Sequence, residues 1–420
     1  MYLWTLAPDV TLEDSGIFSV AAQYAGVPQV PGFPVWTIYG WLFTKLLPFS
    51  NIAWRVAVSS AVAGALACGL IALMVSRGGA SMLEGISGLK RLTVKEENGL
   101  RVVCGAIAGM GLGFDGAFWE KAVIVDTWPL SVLSLTVCIC LLFRWFYSPE
   151  RRPYLYAAVF VYGVTLTCSQ SLAPAVVGLP FVVVLADTEL GRDFCFVASI
   201  VWLAVWVENQ MGYLSALLQP VSIATPLWVL SFAFGITTIT MCVCLTVKTR
   251  GFFTEWKAIV LLVAMFLLGL SPYLYLPLAS MTNPPMNWGY PRTVDGFFHV
   301  LTRGQFERTW ATADFGKLAG QIPIYGRIAV RQFGLLYATA AMIPFCFLHK
   351  MRTRERRWMF SLLAIFFGLS FLMLVLLNPS PDRQSELGAV FFTASHLVLT
   401  VWAGYGLILL GSIFARDKTV

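Results

Sequence analysis

Three carboxylates lie close together near the start of the chain. Asp9, Glu13 and Asp14 fall within six positions, and a proline-punctuated turn and an aromatic amphipathic stretch follow them. A carboxylate that is held beside a substrate can act as a general base and take the proton from a hydroxyl group. Asp14 can also cap a helix that begins near Ser15, because Asp is a good N-cap residue, and spacing alone favours the cap.

A second group of polar and aromatic residues follows a long apolar stretch in the C-terminal half. The segment SMTNPPMNWGYPRTVDGFFHVLTRGQFERTWATADFGK contains Trp288, Tyr290, Arg292, Arg303 and Arg308. Aromatic faces suit sugar rings, and planar guanidinium groups suit phosphates. The same residue types are expected at any membrane boundary and beside anionic lipid headgroups. The segment therefore indicates a sugar-phosphate site, with a purely interfacial role as the alternative.

Further ionisable residues lie inside or near apolar stretches. Asp115 and Glu120 belong to the stretch GLGFDGAFWE. A carboxylate at the centre of a spanning helix costs about 2.5 to 3.5 kcal/mol on insertion scales, so each is expected to face the bundle interior. Pairing with a buried polar group is the simplest role for them. The three histidines, His299, His349 and His396, are too scattered in the sequence to predict a metal site.

The composition shows which kind of fold must position these residues. Of the 420 residues, 58% are apolar and 12% are charged. Soluble domains carry about 25% charged residues, so the chain is not a water-soluble globule. The mean hydropathy of +0.74 is spread over the whole length, which predicts an all-α polytopic membrane protein with one transmembrane domain over residues 1–420.

Apolar runs of about 20 residues predict eleven membrane spans. The first residues, Met1 to Ala7, are apolar but too short to span. We expect them to be the tail of a truncated first span or a short interfacial anchor. The predicted spans cover residues 52–76, 102–120, 129–146, 154–171, 172–187, 194–210, 224–247, 258–278, 332–349, 358–377 and 389–414.

The lysines and arginines of the connections predict the orientation. One set of connections carries 19 of the 29 lysines and arginines, and such connections face the cytoplasm. Residues 8–51 (the first polar segment), residues 279–331 (the second polar segment) and the turn near 378–388 are therefore expected to share the outer face. The two polar segments are expected to form one site. In a membrane protein the location of the basic residues matters more than the total charge. The net charge of +7 therefore does not indicate nucleic acid as a partner.

Several motifs in these segments resemble a known family. They are TLAPDVTLEDSG, GVPQVPGFPVWTIYGWLF and LPLASMTNPPMNWGYP, with weaker matches in FWEKAVIVDTWPL and AVFFTASHLVLTVWAGYG. They are similar to bacterial polytopic proteins with the fold of C-type glycosyltransferases, a family that also includes an animal transmembrane protein O-mannosyltransferase. The resemblance covers nearly the whole chain in order.

The resemblance implies a lipid-phosphate-linked sugar donor and a catalytic carboxylate at Asp14, with Glu13 beside it. We expect Arg303, Arg308 and Arg383 to neutralise the phosphate. The residues expected on the sugar or acceptor side are Asn283, Trp288, Tyr290, Glu120, Asp126 and His299.

At three positions the residue differs from the one that is typical of the family. Glu13 stands where the family has glycine, Asp126 where it has glutamate, and Ile17 where it has an acidic residue after the DSG motif. The change at Ile17 removes a carboxylate that can bind or polarise the acceptor. An inactive scaffold derived from the enzyme therefore stays open as an alternative.

The sequence predicts an inverting membrane glycosyltransferase that uses a polyprenyl-phosphate sugar and modifies a protein or glycan at the periplasmic face of a bacterial inner membrane. A transporter or flippase of a lipid-linked intermediate is the runner-up, with Asp115 and Glu208 as a proton or ion relay. No cofactor is predicted: Glu13 and Asp14 could hold a divalent cation, but the sequence does not indicate one. Membrane lipids are the remaining partner. The sugar, the acceptor and the length of the polyprenol are not specified by the sequence.

Overall fold

A computed structural model of the chain describes residues 1–12, 14–86, 92–211, 225–302, 311–379 and 388–416. These residues are mostly helical, with two isolated β-bridges and no strand among them. The prediction of an all-α fold is confirmed. The helices are α1 (Ser15–Tyr24), α2 (Pro34–Leu46), α3 (Ile52–Gly85), α4 (Val94–Gly113), α5 (Gly116–Ala122), α6 (Trp128–Phe146), α7 (Pro153–Cys168), α8 (Gly178–Ala186), α9 (Thr188–Met211), α10 (Thr225–Thr249), α11 (Trp256–Leu270), α12 (Tyr275–Met281), α13 (Val294–Leu301), α14 (Phe315–Cys346), α15 (Thr353–Phe367), α16 (Met373–Leu377) and α17 (Ala389–Arg416).

Most of the predicted spans correspond to long apolar helices. Within the described residues, eight helices are long and apolar enough to cross a membrane, and α4 with α5 forms a ninth if this bent pair is one span. The two remaining predicted spans are shorter apolar helices, α7 and the helical stretch Gln170–Ala186. The chain is an integral membrane protein by the length and composition of these helices.

The main core lies where α3, α4, α6, α15 and α17 pack together. Small residues allow the helices to approach closely, as is usual for helices in membranes. A Cβ atom at Gly105 would lie 2.5 Å from the carbonyl oxygen of Ala72, and one at Gly109 would lie 2.4 Å from that of Cys68. The two glycines of α4 therefore fix its close contact with α3.

Among the described residues, two spans are interrupted by non-helical backbone. The axes of α4 and α5 differ by 72°, and the break lies at Phe114 and Asp115. Helix α14 bends at Gly334, whose φ of 74° is outside the helical region. The helix also begins at Phe315 and not near residue 332, so the prediction that residues 315–331 belong to a loop was wrong. Polar residues and Pro323 lower the hydropathy of this first part, although the backbone stays helical.

The first polar segment folds onto the start of α3. Helices α1 and α2 pack against each other and against α3, around a small apolar cluster that includes Phe18, Trp36 and Val56. The residues before them form a short 3-10 helix, Tyr2–Trp4, and the Tyr2 hydroxyl donates to the carbonyl of Gly113. The amide of Ala7 donates to the carbonyl of Val123. The start of the chain is thus attached next to the break between α4 and α5.

Candidate active site

Asp14 occupies the N-cap position of α1, but its side chain does not cap the helix. The carboxylate accepts no hydrogen bond from the first turn of α1. It accepts one from the side-chain amide of Gln29. Because a capping Asp would bind the N–H groups of the second or third helical residue, the capping interpretation does not describe this carboxylate. Its oxygen atoms are oriented by a residue from the turn that follows α1.

The turn that carries Gln29 is bonded to the second polar segment. The amide of Val27 donates to the carbonyl of Met286 at 2.8 Å, and the amide of Trp288 donates to the carbonyl of Val27 at 3.0 Å. Gly26 allows this approach, since a Cβ atom there would lie 2.3 Å from the Met286 carbonyl oxygen. The two polar segments are therefore joined, although about 260 residues separate them in sequence.

Residues 283–288, which are the NPPMNW part of the motif, and Tyr290 form a cavity of about 400 Å³ (the 283–290 cavity). Asn283, Trp288 and Tyr290, which were predicted to bind the sugar or acceptor, all line it. Arg292 connects two of them, because it donates to Asn283 Oδ1 at 2.6 Å and its guanidinium lies 5.5 Å from the centre of the Tyr290 ring. The cavity combines aromatic faces with amide groups, which is a surface suited to a sugar ring.

Asn287 also lines the 283–290 cavity and was not predicted as a site residue. Its Nδ2 donates to the carbonyl of Ser280 at 3.2 Å, whereas its Oδ1 is buried with no hydrogen-bond partner among the described residues. Buried acceptors in native structures are nearly always paired. The unpaired oxygen therefore marks Asn287 as a further candidate for contact with a ligand.

Asp126 does not line the 283–290 cavity and lies beside Lys121. Its Oδ1 accepts the amide of Trp128, and its Oδ2 lies 3.6 Å from Lys121 Nζ. Its carbonyl oxygen accepts the indole N–H of Trp36 at 2.9 Å. Asp126 is thus attached through α2 to the first polar segment, to which Asp14 belongs. Lys121 was not predicted, although a lysine within an apolar stretch is a signal that could have indicated it.

The two remaining acceptor-side candidates are exposed. Glu120 is exposed on the short helix α5, one residue before Lys121. His299 is exposed on α13, and its Cδ2 would lie 3.8 Å from a Cβ atom placed on Gly289. His299 is therefore next to the 283–290 cavity, whereas Glu120 is on the side of Asp126. The predicted acceptor residues therefore form two groups, one at the 283–290 cavity and one beside Lys121.

Several predictions concern residues whose positions are not described. Glu13, Arg303, Arg308 and Arg383 lie outside the described residues, so the predicted phosphate site remains a prediction. Asp14 does not line the 283–290 cavity. Its connection to that cavity passes through Gln29 and Val27.

The structure also pairs two ionisable residues that were not predicted to meet. Asp115 Oδ2 lies 2.6 Å from His396 Nδ1, and both side chains are fully buried. Asp115 Oδ1 accepts the amide of Phe118 and so caps α5 at the break in the span. Next to it, the amide of Gly116 donates to Gln332, which lies close to the bend of α14. Both interrupted spans meet at this pair.

Comparison with known proteins agrees with the motifs. The family model described as "Protein O-mannosyl-transferase TMEM260 N-terminal domain" matches residues 14–190, a range that begins at Asp14. The chain resembles the TMEM260 protein O-mannosyl-transferases. This confirms the resemblance that the motifs predicted. Protein O-mannosyl-transferase tmem260 of Dictyostelium discoideum is 22% identical over 97% of this chain, and TMEM260 of Mus musculus is 22% identical over 98% of it.

The matches cover different shares of the related proteins. The chain spans 43% of the Dictyostelium protein and 48% of the mouse TMEM260 protein, so it corresponds to about half the length of these relatives. Among solved structures, ArnT from Cupriavidus metallidurans bound to undecaprenyl phosphate matches with a TM-score of 0.33 and 13% identity. That match covers 99% of this chain and 76% of ArnT.

Proposed function

We propose that the chain is a membrane glycosyltransferase of the C-type fold that transfers a sugar from a polyprenyl phosphate to an acceptor hydroxyl. The observation that carries this proposal is the hydrogen bonding of the Asp14 carboxylate. It does not cap α1, and it accepts a hydrogen bond from the side-chain amide of Gln29. The same turn is bonded to the loop of the 283–290 cavity. The names of the TMEM260 relatives support a protein as the acceptor and mannose as the sugar.

In the proposed reaction Asp14 is the general base. It takes the proton of the acceptor hydroxyl while the hydroxyl oxygen forms a bond to the anomeric carbon. The bond from that carbon to the phosphate oxygen breaks, and the phosphate leaves with the electron pair. A phosphate monoester is a stable anion, so no acid catalyst is required. Attack from the side opposite the phosphate inverts the anomeric configuration.

Besides general-base catalysis, the protein is proposed to position the donor and the acceptor for the reaction. Gln29 orients the base, and the 283–290 cavity holds a ring of the donor or the acceptor. Arg303, Arg308 and Arg383 are proposed to stabilise the charge that develops on the phosphate. The charge distribution of the connections supports an outer-face site, which in a bacterium faces the periplasm of the inner membrane.

The test is transfer from a radiolabelled mannosyl polyprenyl phosphate by the purified protein in nanodiscs. Asp14→Asn should lower the rate by about 10² to 10⁴, because Asn cannot accept the proton. Asp9→Asn is the matched control: Asp9 is an exposed carboxylate in the same segment, and it accepts the amide of its own neighbour, Val10. Transfer that survives Asp14→Asn would contradict the mechanism. A wild-type protein without activity on any donor would favour the scaffold that Ile17 suggests.

One observation favours the runner-up, a transporter or flippase. Broken helices beside a buried charge are typical of transporter sites, and the pair of Asp115 and His396 lies where two spans are interrupted. In this function Asp115 would act with His396, in addition to the predicted relay of Asp115 and Glu208. Translocation of a fluorescent polyprenyl phosphate sugar in liposomes, without any transfer to an acceptor, would support this function over the enzyme.

A further inference from the structure

A second cavity lies at the other end of the helix bundle. It has a volume of about 290 Å³ and is lined by Phe146, Leu185, Ala186, Thr353, Arg354 and Arg357. Helix α6 begins next to Asp126 and ends at Phe146 after 19 residues. At 1.5 Å per residue, roughly 28 Å separate this cavity from the end of α6 that lies next to Asp126. The proposed transfer reaction does not use it.

Two arginines are held in orientation at this cavity. Arg354 Nη2 donates to the carbonyl of Phe146 at 3.3 Å, and its guanidinium lies 5.2 Å from the centre of the Tyr147 ring. Arg357 Nη1 donates to the carbonyl of Leu185 at 3.4 Å. These carbonyls use one N–H of each guanidinium, and a guanidinium carries five. Most of the donors of both arginines are therefore available to a ligand.

The two arginines of the cavity are not held in ion pairs with other described residues. Within the described ranges, neither Arg354 nor Arg357 forms an ion pair, and none of the lining residues is acidic. Glu355 interacts electrostatically with Arg354, but it is only 6% exposed, forms no ion pair among the described residues and does not line the cavity. Two guanidiniums that line one cavity and have free N–H groups favour a ligand with at least one negative charge and several acceptor oxygens, which describes a phosphate group.

The remaining wall of the cavity is apolar. It is formed by Phe146, Leu185 and Ala186, which lie at the ends of α6 and α8. A free phosphate ion is fully hydrated and gains nothing from such a wall, whereas a phospholipid places its glycerol and first methylene groups there. The ends of the spans are also where headgroups lie, and connections rich in arginine attract anionic lipids.

We propose that this cavity binds the phosphate of an anionic phospholipid, with Arg354, Arg357 and the Thr353 hydroxyl as its polar contacts. The lipid would connect the ends of α6, α8 and α15 at the face opposite the candidate active site. This site is independent of the proposed transferase activity.

The test measures lipid binding to the purified full-length protein by native mass spectrometry. Phosphatidylglycerol should bind to the wild type at least about tenfold more tightly than zwitterionic phosphatidylcholine. The variant Arg354→Gln/Arg357→Gln should lose about tenfold of its affinity for phosphatidylglycerol. The matched control is Arg352→Gln/Arg356→Gln, which removes the same charge from the same end of α15 but from residues that do not line the cavity. The control should stay within about twofold of the wild type.

Other outcomes would overturn the proposal. Equal losses in the two double variants would show that diffuse charge attracts the lipid and that the cavity does not bind it. Displacement of phosphatidylglycerol by inorganic phosphate at similar concentrations would show a site for free phosphate and no role for the apolar wall. If the double variant cannot be purified, Arg357→Gln alone should lose about threefold against Arg356→Gln.

Discussion

Asp115 Oδ2 lies 2.6 Å from His396 Nδ1, although 281 positions separate the two residues in sequence. Each side chain is 0% exposed. Through its other oxygen Asp115 caps α5, so the pair connects the last long helix to the break between α4 and α5. Burial of one of these groups without the other is unfavourable, because a buried charge needs a partner.

The first prediction concerns the stability of this pair. His396→Ala should destabilise the protein by about 3 to 5 kcal/mol, since it leaves the Asp115 carboxylate buried without its partner. Asp115→Asn should cost less, because Asn keeps the cap on α5 and can still form a hydrogen bond with His396. Thermal unfolding in detergent, followed by size-exclusion chromatography, measures both effects. His299→Ala is the control, as His299 is exposed; wild-type stability of His396→Ala would mean that the pair does not form.

The second prediction concerns the residue that orients the proposed base. Gln29→Ala should lower transfer by about tenfold or more, less than Asp14→Asn, because the carboxylate stays in place but loses its fixed orientation. Gln29→Glu should be worse than Gln29→Ala, since it sets a second negative charge against Asp14. The rates are measured with saturating donor and acceptor. Equal activity of both Gln29 variants and the wild type would show that the contact with Asp14 has no part in catalysis.

The third prediction concerns the contact between the two polar segments. Gly26→Ala should destabilise the folded protein by about 1 to 3 kcal/mol, because the added methyl group would lie 2.3 Å from the carbonyl oxygen of Met286. Separation of the segments should also lower transfer. Gly69→Ala is the matched control, because a Cβ atom at Gly69 meets nothing within 4 Å and Gly69 is inside α3. A Gly26→Ala protein as stable and active as Gly69→Ala would contradict the close approach.

The parts of the fold that depend on local sequence could be predicted, and the parts that depend on distant pairing could not. Hydropathy indicated the spans, because a helix needs a continuous apolar run to cross a bilayer. It did not indicate the start of α14 at Phe315, since Pro323 and the charged residues near it lower the local average while the backbone remains helical.

The candidate site shows the same division. The segment NPPMNWGY identified Asn283, Trp288 and Tyr290, which are neighbours in sequence and line one cavity. No sequence pattern indicated that Asp126 belongs to a different group from these residues, because its position depends on the hydrogen bond that Trp36 donates to its carbonyl oxygen. Likewise, no spacing rule connects Asp115 with His396 across 281 positions. Such pairs become visible only when the helices are packed.

The last prediction concerns sidedness, on which the proposed reaction depends. The charge split of the connections predicts that Tyr290 faces outward and that Arg356 faces the cytoplasm. In a background without the exposed Cys244 and Cys346, Tyr290→Cys should react with a membrane-impermeant maleimide in intact cells. Arg356→Cys should react only after lysis. Both positions are exposed, so a difference in labelling reports the membrane side and not burial. The reverse pattern would place the 283–290 cavity in the cytoplasm, where the proposed outer-face transfer could not take place.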